Sequence, residues 1–230
     1  MADQFVIFGP FHRIVLTVML AAGIALGLLF RRFPRARYAL GSFLAVNEIV
    51  WYVWRIRAEG IRFPEALPLQ LCDLTLWCTV AACFTLRRWP FEILYYTGLS
   101  GTLLTVVTPD LWAPPLSYPT LYFFTAHGGV VASALALTLG RLQRPEPRSW
   151  LRALVAVNLW ALAVGSFNLA FGTNYMYLCE KPASATLLDF FGPWPGYLLV
   201  GELVAVTLFY LLWLPFRFTK PAPSPSPPPR

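Results

Sequence analysis

Apolar positions in this chain come in long unbroken runs rather than in alternation with polar ones. Seven stretches, near 14–30, 38–55, 70–86, 91–108, 119–139, 151–171 and 196–216, are almost wholly apolar. Each has the ~17–25 residues needed to cross a bilayer. They predict an all-α fold, a polytopic membrane bundle of seven transmembrane helices filling residues 1–218. The tail that follows, residues 219–230, is rich in proline and serine and reads as extended, disordered and cytoplasmic.

Composition supports the same class. The chain is 57% hydrophobic and only 13% charged, whereas a soluble domain carries about 25% charged residues. A net charge of +7 points to nucleic acid only when the basic residues share a folded polar face. Here they sit in short loops, as topology signals do, so no nucleic-acid partner is expected. Thirteen basic residues fall on one side, in the loops around Arg31–Arg37, Arg87–Arg88 and Arg141–Arg152 and at the C-terminus; five fall on the other. The positive-inside rule then puts the N-terminus outside and the C-terminus in the cytoplasm of a multi-pass cell-membrane protein. Trp89, Trp112, Trp150 and Trp194 lie at predicted span ends, as interfacial anchors do. No basic segment precedes the first run, which predicts no cleaved signal peptide. The four cysteines follow neither a zinc pattern nor a disulfide framework, so no metal or cofactor is expected.

One stretch carries chemistry: Leu67-Pro68-Leu69-Gln70-Leu71-Cys72-Asp73-Leu74, at the mouth of the third run. Polar groups that enter a lipid-spanning helix are expensive and often mark a working site. With the orientation above, Gln70, Cys72 and Asp73 lie in the outer turns of the third span. His127 lies two turns into the fifth, Asn47 and Glu48 in the outer half of the second, and Glu202 two turns into the seventh. Asp110 and the Asn174–Tyr175 pair lie in outer loops. At ~1.5 Å rise per residue these depths agree within roughly 10 Å. The inner halves hold almost no charged or amide residue except Asn158. The last outer loop, about 172–195, is the longest, and long connections tend to be lids or binding loops.

A thiol becomes a nucleophile when a nearby base favours the thiolate. Cys72 is the one cysteine of this layer attached to a span, and His127 is the one histidine placed within a span, His12 falling at a margin. A cysteine and a histidine with orienting carboxylates or amides recur in acyl transfer. The set therefore reads as Cys72, His127 and Asp73 for catalysis, with Gln70, Asn47, Glu48, Asp110, Asn174, Tyr175 and Glu202 for substrate binding. Pro68 leaves local backbone amides free to bind an oxyanion. The layer sits at the depth of outer-leaflet ester groups, so an acyl phospholipid is the natural donor and water or a lysolipid the acceptor. Other readings stay open. Cys72 can be a small packing residue or the disulfide partner of Cys179, and Glu48 and Glu202 can bind Arg55, Arg57 or Arg62. Gly128-Gly129 can serve close helix packing. The whole layer can instead bind a solute or ion in a transporter, although a transporter needs access from both sides.

Five motifs in order resemble one family: Leu-Pro-Leu-Gln-Leu-Cys-Asp-Leu at 67–74, Thr-Pro-Asp-Leu at 108–111, Phe-Phe-Thr-Ala-His-Gly at 123–128, Asn-Tyr-Met-Tyr-Leu at 174–178 and Gly-Pro-Trp-Pro at 192–195. Together they are similar to the YwaF-like integral membrane proteins, whose animal branch is transmembrane protein 164, over roughly residues 40–215. The resemblance implies a multi-span fold and, by the animal branch, a cysteine-dependent phospholipid acyltransferase. Cys72 would accept the acyl group and His127 would be its base. Bacterial relatives often carry histidine where this chain has Gln70, so one possible base is missing here.

Overall fold

The computed structural model describes residues 5–111, 113–182 and 186–218. Trp112 and the tail 219–230 lie outside the described residues. All regular structure among the described residues is helical, and a helix overlies each of the seven apolar stretches. In order these are α1 (Pro10–Arg32), α2 (Arg37–Glu59), α3 (Leu71–Thr85), α4 (Arg88–Thr97), α5 (Leu103–Val107), α6 (Tyr118–Leu139), α7 (Ser149–Phe171) and α8 (Gly196–Trp213). A π turn over Gly98–Thr102 joins α4 and α5 into one rod, so eight α-helices make seven rods. Local signals set several ends. Pro10 begins α1 where its missing N–H costs nothing. Gly60 and Gly172 close α2 and α7 at φ of +78° and +67°, values that favour glycine.

Four helices are long and apolar enough to cross a membrane: α1, α6, α7 and α8 with its continuation to Phe216. The other three rods depart from the uniform spans predicted above, each for a physical reason. α2 has 23 residues but carries Arg37, Glu48, Arg55, Arg57 and Glu59. α4 is a core element, with Pro90 through Thr97 all buried, and its rod is interrupted by the π turn. α3 has 15 residues and is therefore ~22 Å long, against ~34 Å for its longest neighbours. Its start lies beneath other parts of the chain. Irregular chain from 61–70 and the turn after α7 fill the space above it.

Glycines allow the closest helix contacts. α1 lies along α6 through Gly23 and Gly27; a Cβ on Gly27 would sit 2.8 Å from the Leu139 Cβ. Gly128 and Gly129 serve the same purpose on α6. Gly128 faces Met19 of α1 at 3.6 Å, and a Cβ on Gly129 would come within 2.5 Å of Leu44 of α2. This is the packing role expected of the pair. Gly27→Ala is expected to force α1 off α6 and cost about 1–3 kcal/mol. Gly201→Ala on α8, where a Cβ meets nothing within 4 Å, is expected to leave thermal unfolding unchanged or slightly raised. Melting both variants in detergent checks the contrast.

Candidate active site

The covered start of α3 organises the site. Gln70 caps the helix in an extended conformation, and its backbone N–H donates to Asp73 Oδ2 at 2.9 Å. The Tyr52 hydroxyl donates to Asp73 Oδ1 at 3.1 Å. Both carboxylate oxygens are thus engaged, one in closing the first turn and one in tying it to α2. Cys72 follows as the second residue of the helix, and the backbone N–H groups of Asp73 and of Cys72 itself reach its sulfur. The first-turn amides of a helix have no partners within it; here the Asp73 N–H also faces the Gln70 side chain, which completes the capping box.

Cys72 and Asp73 line a cavity of about 20 Å³ with Leu76 of α3, Glu48 of α2, Thr102 of the π turn, and Tyr122, Ala126, His127 and Val130 of α6. That is room for one water. His127 is stacked on Phe123 at 4.4 Å, and its Nδ1 lies 2.9 Å from the Phe123 carbonyl oxygen. A carbonyl can only accept, so Nδ1 carries the proton and Nε2 is left with a lone pair when the ring is neutral. The group orienting His127 is therefore a backbone carbonyl, not Asp73, Gln70 or Glu48. Glu48 is buried and accepts from the Tyr122 hydroxyl at 2.6 Å. It does not pair with the arginines near it in sequence; Arg55 and Arg62 bind Glu59 instead, at 3.4 and 3.5 Å. Among the described residues, no lysine or arginine lines the cavity.

A folded loop closes over this end. The Met176 N–H donates to the Gln70 side-chain oxygen at 2.9 Å. The Tyr175 hydroxyl donates to the Pro64 carbonyl at 2.7 Å and accepts from the Leu67 N–H at 2.8 Å. Asn168 holds the Tyr175 backbone from both sides, and the Asn174 side-chain oxygen accepts from the Cys179 and Glu180 N–H groups. Met176 and Tyr177 take left-handed conformations, at φ of 58° and 53°, of the kind that recur at functional sites. Burial, and after it the Asp110 carboxylate nearby, raises the Tyr177 phenol pKa.

The single outer layer expected from sequence thus separates into distinct roles. Cys72, Asp73, His127 and Glu48 share the cavity wall. Gln70, Asn174 and Tyr175 build the lid, and exposed Asp110 lies beside it. Asn47 is off the wall, with a buried side-chain nitrogen that has no partner. Glu202 is elsewhere, bonded to Asn158 at 2.9 Å between α7 and α8. All four cysteines are free, so Cys72 is not bonded to Cys179. His12 lies inside α1, fully buried, with one ring nitrogen on the Val106 carbonyl and the other accepting from the Phe8 N–H. Both its nitrogens are engaged, which leaves it structural.

Sequence reading missed Tyr52, Tyr122 and Thr102 at the site. Tyr52 had a signal, since it lies one helical turn after Glu48; the other two had none. It also missed Glu92, at the far end of the bundle. That carboxylate is buried and held bidentately by Arg152, one of the two bonds being 3.0 Å from Nε. The arginine-rich end is not uniformly apolar.

These features define the class: an all-helical protein with four helices fit to cross a membrane, and a bundle enclosing a cysteine and a histidine on neighbouring helices. The chain belongs to the TMEM164 family, whose model matches residues 7–213. No curated protein and no solved structure matches it.

Proposed function

We propose that this protein is a multi-pass cell-membrane enzyme that transfers or hydrolyses the acyl chains of phospholipids through a thioester on Cys72. The observation that carries this reading is the sharing of one cavity by Cys72 and His127, with the His127 tautomer set so that Nε2 can take a proton. All seven rods cross the bilayer in this reading, with the N-terminus outside, and the Cys72 end lies in the outer leaflet. The loop bonded over the start of α3 supports a site below the aqueous surface, near ester depth.

In the proposed reaction the Cys72 sulfur attacks the ester carbonyl of a diacyl phospholipid. Among the described residues, no lysine or arginine lines the cavity to hold a standing thiolate, so the thiol proton passes to His127 Nε2 as the C–S bond forms. The oxyanion meets backbone amides at the first turn of α3. The C–O bond breaks, His127 returns its proton to the departing alkoxide, and a lysolipid leaves. A second lysolipid or water then donates its O–H proton to His127 and its oxygen to the acyl carbonyl, releasing Cys72 as a thiol. Glu48 and Asp73, tied to Tyr122 and Tyr52, keep the wall polar and fix its shape.

The test is the intact mass of purified, reduced protein after incubation with a defined diacyl phospholipid. The expected result is an added acyl mass that hydroxylamine removes, together with released lysolipid. No adduct and no lysolipid with any diacyl lipid would move the reading to a solute or ion site in a transporter.

A further inference from the structure

At the opposite end from Cys72 a larger cavity, about 1280 Å³, opens where the loops after α3 and α6 meet the starts of α4 and α7. Its wall carries Arg87, Arg88, Arg141, Arg144 and Arg152 against only two carboxylates, Glu92 and Glu146. The carboxylates are already taken. Glu92 is held by Arg152, while Glu146 lies 3.1 Å from Arg88 and 3.9 Å from Arg152. Arg87 and Arg141 are exposed and have no ion-pair partner among the described residues.

Backbone charge adds to this. α4 begins at the cavity, preceded by Arg87. It has no side-chain cap and no acidic residue in its first turn. An uncapped helix start presents unpaired N–H groups and the positive end of the dipole, which attract anions. The opposing carbonyl ends of α3 and α6 are occupied: Leu86 O accepts from Gln143 Nε2, and Leu139 O accepts from Arg31 Nε at 2.7 Å. The wall also carries an apolar set, Trp89, Ile93, Leu142 and Phe216, beside the uncharged polar Thr85, Thr138 and Gln143.

We infer that this cavity binds the phosphate headgroup of an anionic phospholipid. Arg87, Arg141 and the start of α4 hold the phosphate, and Trp89, Ile93 and Phe216 flank the acyl chains. A basic pocket between membrane helices at the positive end is where anionic headgroups collect. A soluble phosphate compound would meet the same arginines but would leave the apolar lip uncovered. The site contains no reacting thiol and does not depend on the chemistry proposed for Cys72.

The experiment is native mass spectrometry of the purified protein titrated with dioleoyl phosphatidylglycerol or dioleoyl phosphatidylcholine. The wild type is expected to retain one phosphatidylglycerol with an affinity at least about tenfold above that for phosphatidylcholine. Arg87→Ala/Arg141→Ala should lose that preference while melting as the wild type does, because no ion pair is broken; Arg87→Gln/Arg141→Gln replaces it should the alanine pair fail to fold. Arg32→Ala/Arg35→Ala removes equal charge at the same end outside the cavity and should keep the preference. Competition by inorganic phosphate would identify the phosphate as the recognised group; its absence would assign recognition to the whole lipid. Equal retention of the two lipids by the wild type, or equal loss in both double variants, overturns the inference.

Discussion

Cys72→Ala is expected to fold and to form no acyl adduct where the wild type forms one, and His127→Gln to slow adduct formation by about 10²–10⁴-fold. The first effect is complete because no other thiol can replace Cys72: Cys78 and Cys83 are buried within α3, and Cys179 is exposed on the lid. The cost in stability should be small, because Cys72 is half-buried beside a cavity that already exists. The second effect is partial because His127 supplies proton transfer, while Cys72 and the first-turn amides of α3 remain. Glutamine can still donate to the Phe123 carbonyl but offers no basic nitrogen. The readout is a time course of intact mass with thermal unfolding measured on the same samples. A purely packing role for His127 would lower the melting temperature and leave the acylation rate alone. An adduct persisting in Cys72→Ala would place the nucleophile elsewhere.

Arg152→Ala is expected to destabilise the bundle by about 3–5 kcal/mol, because it leaves the buried Glu92 carboxylate without its cation. The remaining arginines cannot substitute. Arg88 is engaged with Glu146, and no other cation is paired with Glu92 among the described residues. Glu92 belongs to the buried α4 and Arg152 to the peripheral α7, so their bond is a main polar tie holding α7 to the core. A loss of this size corresponds to roughly 10 °C in melting temperature. Arg152→Ala/Glu92→Gln should recover most of it, since the uncompensated charge is then gone. A double variant melting as low as the single one would mean that Arg152 acts through packing alone.

Motifs around Cys72, His127 and Tyr175 carried the family, which the match over residues 7–213 bears out. Helix positions were equally legible, because each apolar stretch is long and is bounded by polar or proline-rich chain. Relative depth was legible only coarsely. Counting residues from predicted ends placed Glu202 with Cys72, yet Glu202 faces Asn158 on α7. A one-dimensional count gives height along a rod but not the direction in which a helix face points. Asp73 shows the complementary limit: a carboxylate beside a thiol suggests catalysis, whereas the third position of a helix makes it a cap.

By itself, then, the sequence determined the class, the seven helical segments and their approximate ends, and it singled out the cysteine and the histidine that share the cavity. Those follow from local quantities: apolar run length, loop charge and rare polar residues in an apolar context. Only the tertiary structure decided that α3 is short and covered at its start, that the long loop is bonded onto it through Gln70 and Tyr175, and that Glu92 and Arg152 meet. Each of these depends on contacts between residues far apart in the chain. Such contacts are fixed by how helices rotate and pack against one another, which no single segment encodes.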